Sequence, residues 1–214
     1  MPALDALLRD GAPAVIAILR GVAPAEAIDI GTALFEAGIR ILEVPLNSPE
    51  PFVSIAVLQD TFGDRALIGA GTVLNRASVD RLAATGAGLM VAPNTDSRVI
   101  ERAVEQGLEP VPGFMRPSEA IGALAAGARH LKLFPARSVG PTHLKSVREI
   151  LPDDAKVWAV GGLDEADMEA WIAAGAAGIG VGSALYRPGQ GATETAARAA
   201  AIVAGWNDLQ RRSR

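Results

Sequence analysis

Cysteine is absent from the sequence, and histidine occurs only twice, as His130 and His143. The first absence removes disulfides, thiol nucleophiles and thiolate metal sites together. The second means that one chain cannot supply a three-histidine zinc site or a histidine-pair-plus-cysteine site. Carboxylate-bound magnesium stays open. Neither charge sign dominates: 20 Lys+Arg stand against 24 Asp+Glu, a formal net charge of -4. That balance offers no basic surface for nucleic acid or an anionic membrane. Long apolar runs are also missing. The longest uncharged stretch, Ala170–Tyr186, is shorter than the ~20 residues of a membrane helix and is broken by Gly175, Gly178, Gly180 and Gly182. The opening MPALDALLRDG is interrupted by Asp5 and Arg9, so it does not read as a secretory signal. A soluble, cytoplasmic protein is expected. Its 214 residues, 50% hydrophobic, suit one sizeable core and a single domain spanning 1–214.

What the chain has is a repeating unit. A short apolar run leads to a Gly- or Pro-bearing turn, then to an amphipathic stretch that often closes on Ala-Gly. The strand candidates are Ala14–Arg20, Arg40–Leu46, Ala66–Thr72, Gly88–Ala92, Glu109–Gly113, His130–Phe134, Lys156–Val160 and Gly178–Gly182. The helix candidates between them are Pro24–Ala37, Pro49–Phe62, Asn75–Thr85, Thr95–Gln106, Pro117–Ala126 and Asp164–Ala174. Each is followed by a glycine, which tolerates the left-handed turn after a helix. Asn75, Thr95 and Asp164 are expected N-caps. Thr142–Leu151 and the Ala-rich tail from Thr193 supply two more helices, and residues 3–10 a short one before the first strand. Eight alternating units predict a single-domain (β/α)8 TIM barrel, with an open doubly wound sheet as the competing fold.

In such a barrel the chemistry sits at the C-terminal ends of the strands. Two charges lie inside apolar strands. Lys132 is flanked by Leu131 and Leu133, so alternation can turn the leucines to the helices and His130, Lys132 and Phe134 inward. Burial disfavours an ammonium, and a neutral amine attacks a ketone. The plainer alternative is a structural lysine paired with an acid. Glu43, between Leu42 and Val44, follows the same logic: an acid/base near Lys132, or half of a structural ion pair.

Gly161-Gly162 and Gly182-Ser183 end the last two strands, where barrels often receive phosphate on backbone N–H groups. Two tight turns without a ligand are the alternative. Arg20 is a candidate fork for a carboxylate and Thr72 a candidate partner for the same group. His130 is expected to pack in the core below Lys132, and His143 to lie on an ordinary helix surface.

Several of these segments occur together in order: Ile16-Ala17-Ile18-Leu19-Arg20-Gly21, Glu43-Val44-Pro45-Leu46-Asn47-Ser48-Pro49, Gly69-Ala70-Gly71-Thr72-Val73-Leu74, Leu131-Lys132-Leu133-Phe134-Pro135-Ala136 and Ala159-Val160-Gly161-Gly162. With these, the chain from about Val15 to Gln190 resembles the bacterial 2-keto-3-deoxy-6-phosphogluconate and -galactonate aldolases. The resemblance implies a class I aldolase barrel with Lys132 as Schiff-base lysine and Glu43 as proton shuttle. It implies Arg20 and Thr72 at the substrate carboxylate, Pro93 and Phe134 as walls of the pyruvyl end, and Gly162, Gly182 and Ser183 around phosphate. It further implies pyruvate and glyceraldehyde 3-phosphate as products, no metal or cofactor, and a homotrimer.

Within the family, the gluconate enzymes resemble Glu-Val-Thr-Leu-Arg-Thr after the second strand and carry Thr-Gly-Gly after the seventh. Pro45-Leu46-Asn47-Ser48 and Val160-Gly161-Gly162 instead resemble the galactonate branch. The two substrates differ at the C4 hydroxyl, which a threonine can hydrogen-bond and Val160 cannot. Action on the gluconate epimer, or on both, is the alternative. Phe114-Met115-Arg116-Pro117 departs from the small residues usual there and bears on that side of the pocket. Two other classes share the glycine turns without needing the lysine: phosphate-binding isomerases or thiamine-phosphate-synthase-like transferases, and non-catalytic sugar-phosphate binders.

Overall fold

The computed structural model describes residues 3–212; residues 1, 2, 213 and 214 of the expected domain lie outside it. The strands are β1 (Val15–Ile18), β2 (Ile41–Pro45), β3 (Leu67–Gly71), β4 (Leu89–Val91), β5 (Glu109–Val111), β6 (Gly113–Phe114), β7 (His130–Leu133), β8 (Lys156–Val160) and β9 (Gly178–Val181). All pair in parallel, in the order β5-β4-β3-β2-β1-β9-β8-β7-β6. The expected strand Glu109–Gly113 is therefore divided. Pro112 has no N–H to give to a ladder, and the strand breaks there. β5 pairs with β4 and β6 with β7, while the Pro112 carbonyl accepts from the Lys132 N–H at 2.8 Å. One interrupted stave thus closes the sheet into the TIM barrel, with helices outside.

The helices are α1 (Leu4–Arg9), α2 (Pro24–Glu36), α3 (Pro51–Phe62), α4 (Arg76–Ala83), α5 (Ser97–Glu105), α6 (Pro117–Ala125), α7 (Ala136–Arg148), α8 (Met168–Ala173) and α9 (Ala192–Arg212). Asn75 caps α4 as expected, accepting from the Ser78 N–H at 2.9 Å. The cap of α5 is Asp96, not Thr95, whose hydroxyl donates to the Gly113 carbonyl at 2.7 Å instead. Asp164 caps a 3-10 turn, Glu165–Asp167, that precedes α8. α7 begins before the expected Thr142 and is interrupted at Gly140, whose φ of 76° and ψ of 165° are not helical. The expected left-handed stop is present at Gly38 and Gly175 but not at Gly63, which is right-handed at φ -59°.

One end of the barrel is plugged. Leu4 and Leu7 of α1 are buried there, contributing about 2 kcal/mol each. Asp5 of α1 reaches His130 Nε2 at 3.4 Å, and the Trp158 indole N–H donates to His130 Nδ1 at 3.0 Å. The expected core histidine is thus also a link to the plug. The opposite, C-terminal end carries the mouth. No helix among the described residues is long and apolar enough to cross a membrane.

Candidate active site

Closure brings the two strand-borne charges within each other's electrostatic reach in the barrel interior. Lys132 is 6% exposed and Glu43 only 2%. Alternation along β7 puts Lys132 on the inward face with His130, and its Nζ lies 5.0 Å from the centre of the Phe134 ring. Burial lowers the lysine pKa, the Glu43 charge opposes that fall, and the Arg20 charge adds to it. Burial raises the Glu43 pKa, against the pull of Lys132 and Arg20. Among the described residues neither side chain makes an ion pair or a side-chain hydrogen bond, and Glu43 Oε2 is buried without a partner. The barrel interior therefore does not contain a locked structural ion pair here. It holds an amine biased toward neutrality beside a carboxyl biased toward protonation.

Gly71 makes room for that carboxyl. A Cβ at this position would lie 1.5 Å from Glu43 Oε2. The carboxylate fills the space that any larger residue's side chain would take. Thr72 follows at φ 59°, an unfavourable conformation for a β-branched residue, costing on the order of 1–3 kcal/mol. Arg20 is exposed at the end of β1, where its Nη1 donates to Asn47 Oδ1 at 2.6 Å.

Pro93 and Phe134 line a 340 Å³ cavity with Gly113, Phe114 and Met115. Phe114 is buried in β6, while Glu119 accepts from the Met115 and Arg116 N–H groups at 2.8 and 2.9 Å. His143 is half-buried rather than on open surface, with Nε2 2.8 Å from the Met115 carbonyl. Val160 is paired in register with Gly180, so the turns that follow, Gly161-Gly162 and Gly182-Ser183, are neighbours at the mouth. Arg137 Nε donates to the Gly162 carbonyl at 2.5 Å. Arg187 and Arg198 donate to the Ser183 carbonyl at 2.9 and 3.3 Å. Arg137 is ion-paired with Asp167 and Arg198 with Glu194, both at 2.6 Å, which leaves Arg187 as the guanidinium beside these turns that makes no ion pair among the described residues. Among the described residues no three His, Asp or Glu side chains gather as metal ligands would.

A family model described as "Aldolase: KDPG and KHG aldolase" matches residues 5–199. The chain belongs to this aldolase family. The 2-dehydro-3-deoxy-6-phosphogalactonate aldolase of Escherichia coli strain K12 is 47% identical over 91% of this chain and 95% of its own. The solved "Native KDPGal structure" superposes with a TM-score of 0.91 at 47% identity, covering 92% of this chain and 96% of that one. A KDPG aldolase from Legionella pneumophila, solved with pyruvate captured as a covalent carbinolamine, superposes with a TM-score of 0.78 at 26% identity, covering 92% and 94%.

As a member of this family the chain is an aldolase, a carbon–carbon lyase. Its fold brings Lys132 and Glu43 within each other's electrostatic reach, and Arg20, Thr72, Pro93, Phe134, Val160 and both glycine turns lie at the C-terminal ends of their strands. Sequence reasoning missed the service of Gly71 to Glu43, the bond that Arg20 donates to Asn47, and Arg137 beside Gly162. Asn47 lies within one of the family's motifs, but nothing local links it to a residue on another strand.

Proposed function

We propose that the chain is a class I aldolase that cleaves 2-dehydro-3-deoxy-6-phospho-D-galactonate to pyruvate and D-glyceraldehyde 3-phosphate through a Schiff base on Lys132. The observation that carries this reading is a buried, unpaired lysine beside a buried, unpaired carboxyl. The name of the Escherichia coli relative supports the substrate, and the carbinolamine held by the Legionella relative supports the covalent step.

The neutral Lys132 amine adds to the C2 ketone, and Glu43 gives the carbinolamine hydroxyl the proton with which it leaves as water. The resulting iminium draws electrons. Glu43, through a water, takes the C4 hydroxyl proton; the C3–C4 bond breaks, its electrons form the enamine, and the aldehyde leaves. C3 of the enamine is then protonated, and water hydrolyses the iminium to pyruvate and free lysine. A carboxyl biased toward protonation alternates between acid and base along this path. Arg20 and Thr72 take the substrate carboxylate, Pro93 and Phe134 wall the pyruvyl end, and Val160 lies beside C4. Gly161, Gly162, Gly182 and Ser183 hold the phosphate, whose remote binding energy positions the chain. The reading, following the family resemblance, takes the working form as one barrel domain, a cytoplasmic homotrimer needing no metal or cofactor.

Borohydride reduction in the presence of pyruvate is expected to add one pyruvyl group at Lys132, located by peptide mass mapping. A label elsewhere, or none, overturns the nucleophile.

A further inference from the structure

We infer that Asn47 is a positioning residue that holds the Arg20 guanidinium at the barrel mouth without cancelling its charge. The inference rests on the reading of Arg20 as the contact for the substrate carboxylate, and deepens it.

Two consecutive residues of the loop after β2 grip two consecutive residues of the loop after β1. Asn47 Oδ1 accepts from Arg20 Nη1 at 2.6 Å, and Ser48 Oγ accepts from the Gly21 N–H at 2.9 Å. Ser48 is buried, so its grip on the backbone is shielded from water. Gly21 has φ 83°, and a Cβ there would meet Pro188 Cγ at 2.6 Å, so the chain is confined on that side too. The backbone beside Arg20 is therefore anchored, and only the side-chain tip needs holding. A free arginine tip samples many rotamers, and fixing it costs up to about 2 kcal/mol.

The chemical type of the holder matters. Among the described residues Arg20 makes no ion pair, and its one side-chain partner is the neutral Asn47 amide. One of its five N–H donors is used, and the full positive charge stays available for a forked carboxylate contact. The same charge bears on both Glu43 and Lys132. An aspartate at position 47 would keep the hydrogen bond but compete for the fork. An alanine would keep the charge but release the tip.

The experiment measures the pyruvate concentration giving half-maximal borohydride trapping, in wild type, Asn47→Asp and Asn47→Ala, with the thermal midpoint of each. Asn47→Asp is expected to raise that concentration about tenfold, a loss of about 1.4 kcal/mol, with an unchanged midpoint. Asn47→Ala is expected to raise it about threefold, and both are expected to change KM more than kcat. Values within twofold of wild type for both variants overturn the inference. So does a larger loss in Asn47→Ala than in Asn47→Asp, which would make the contact one of loop geometry alone. Absence of an adduct in wild type removes the Schiff-base reading itself, a separate and recognisable result.

Discussion

Val160 ends β8 at 3% exposure, and its methyl groups lean over Gly180, where a Cβ would meet Val160 Cγ2 at 2.7 Å. A threonine there has nearly the same shape but brings a hydroxyl. At a buried position that hydroxyl gains most where the substrate offers it a partner. Val160→Thr is expected to shift the ratio of kcat/KM for the two C4 epimers toward the gluconate form by about five- to tenfold, the worth of a hydrogen bond of about 1 kcal/mol. An unchanged ratio, measured by pyruvate release from each epimer, removes Val160 as selector. Single residues were legible in the sequence where their chemistry contradicts their surroundings. Lys132 and Glu43 are charges within apolar strands, and a charge there must be explained. Asn47 contradicts nothing in its own loop. Its purpose exists only once the barrel brings Arg20 beside it, 27 residues away along the chain.

At the scale of strands, the acid depends on a neighbour that offers it no side chain. Glu43 on β2 pairs in register with Gly69 of β3, and its carboxylate leans over Gly71. Gly71 lies outside the positive-φ glycines, so alanine there is excluded by contact and not by backbone conformation. Gly71→Ala is expected to displace the Glu43 carboxyl and lower kcat by about a hundredfold, the low end of what a general acid/base supplies. The overpacking itself is expected to cost about 1–3 kcal/mol in denaturant unfolding. Full activity in a folded Gly71→Ala protein would show that the carboxyl need not lie over this glycine. The alternation of strands and helices was legible because buried parallel strands read as apolar runs and amphipathic helices do not. The division at Pro112 and the interruption of α7 at Gly140 were less so. The first depends on which neighbour each half of the stave meets; the second falls at Gly140-Pro141, a breaker pair that marks a helix starting near Thr142 but not the helical turn before it.

The whole molecule separates its two ends: the mouth holds the candidate chemistry, and the plugged end holds a buried titratable group that bears on stability. The Trp158 indole N–H can only donate, so His130 Nδ1 accepts, and the neutral ring carries its proton on Nε2, toward Asp5. Burial pushes the His130 pKa down to about 4, with Lys156 adding to the fall and Asp5 opposing it. Above the ordinary histidine value of 6.5 both folded and unfolded chains hold a neutral ring, and the contribution is complete. As pH falls from 6.5 toward 4, the unfolded chain binds a proton that the folded one refuses, and stability is lost. The expected loss over that window is about 3 kcal/mol, because each tenfold weakening of proton binding in the folded chain is worth about 1.4 kcal/mol. Carboxylates titrate in the same range, so the measurement is a difference: unfolding free energy at about pH 7.5 and about pH 4.5, which bracket most of that window, for wild type and for His130→Gln. Glutamine can still accept from Trp158 but does not titrate. The variant is expected to lose about 2–3 kcal/mol less than wild type between the two values. Equal losses in the two proteins would mean that His130 takes up its proton as readily in the folded barrel as in the unfolded chain.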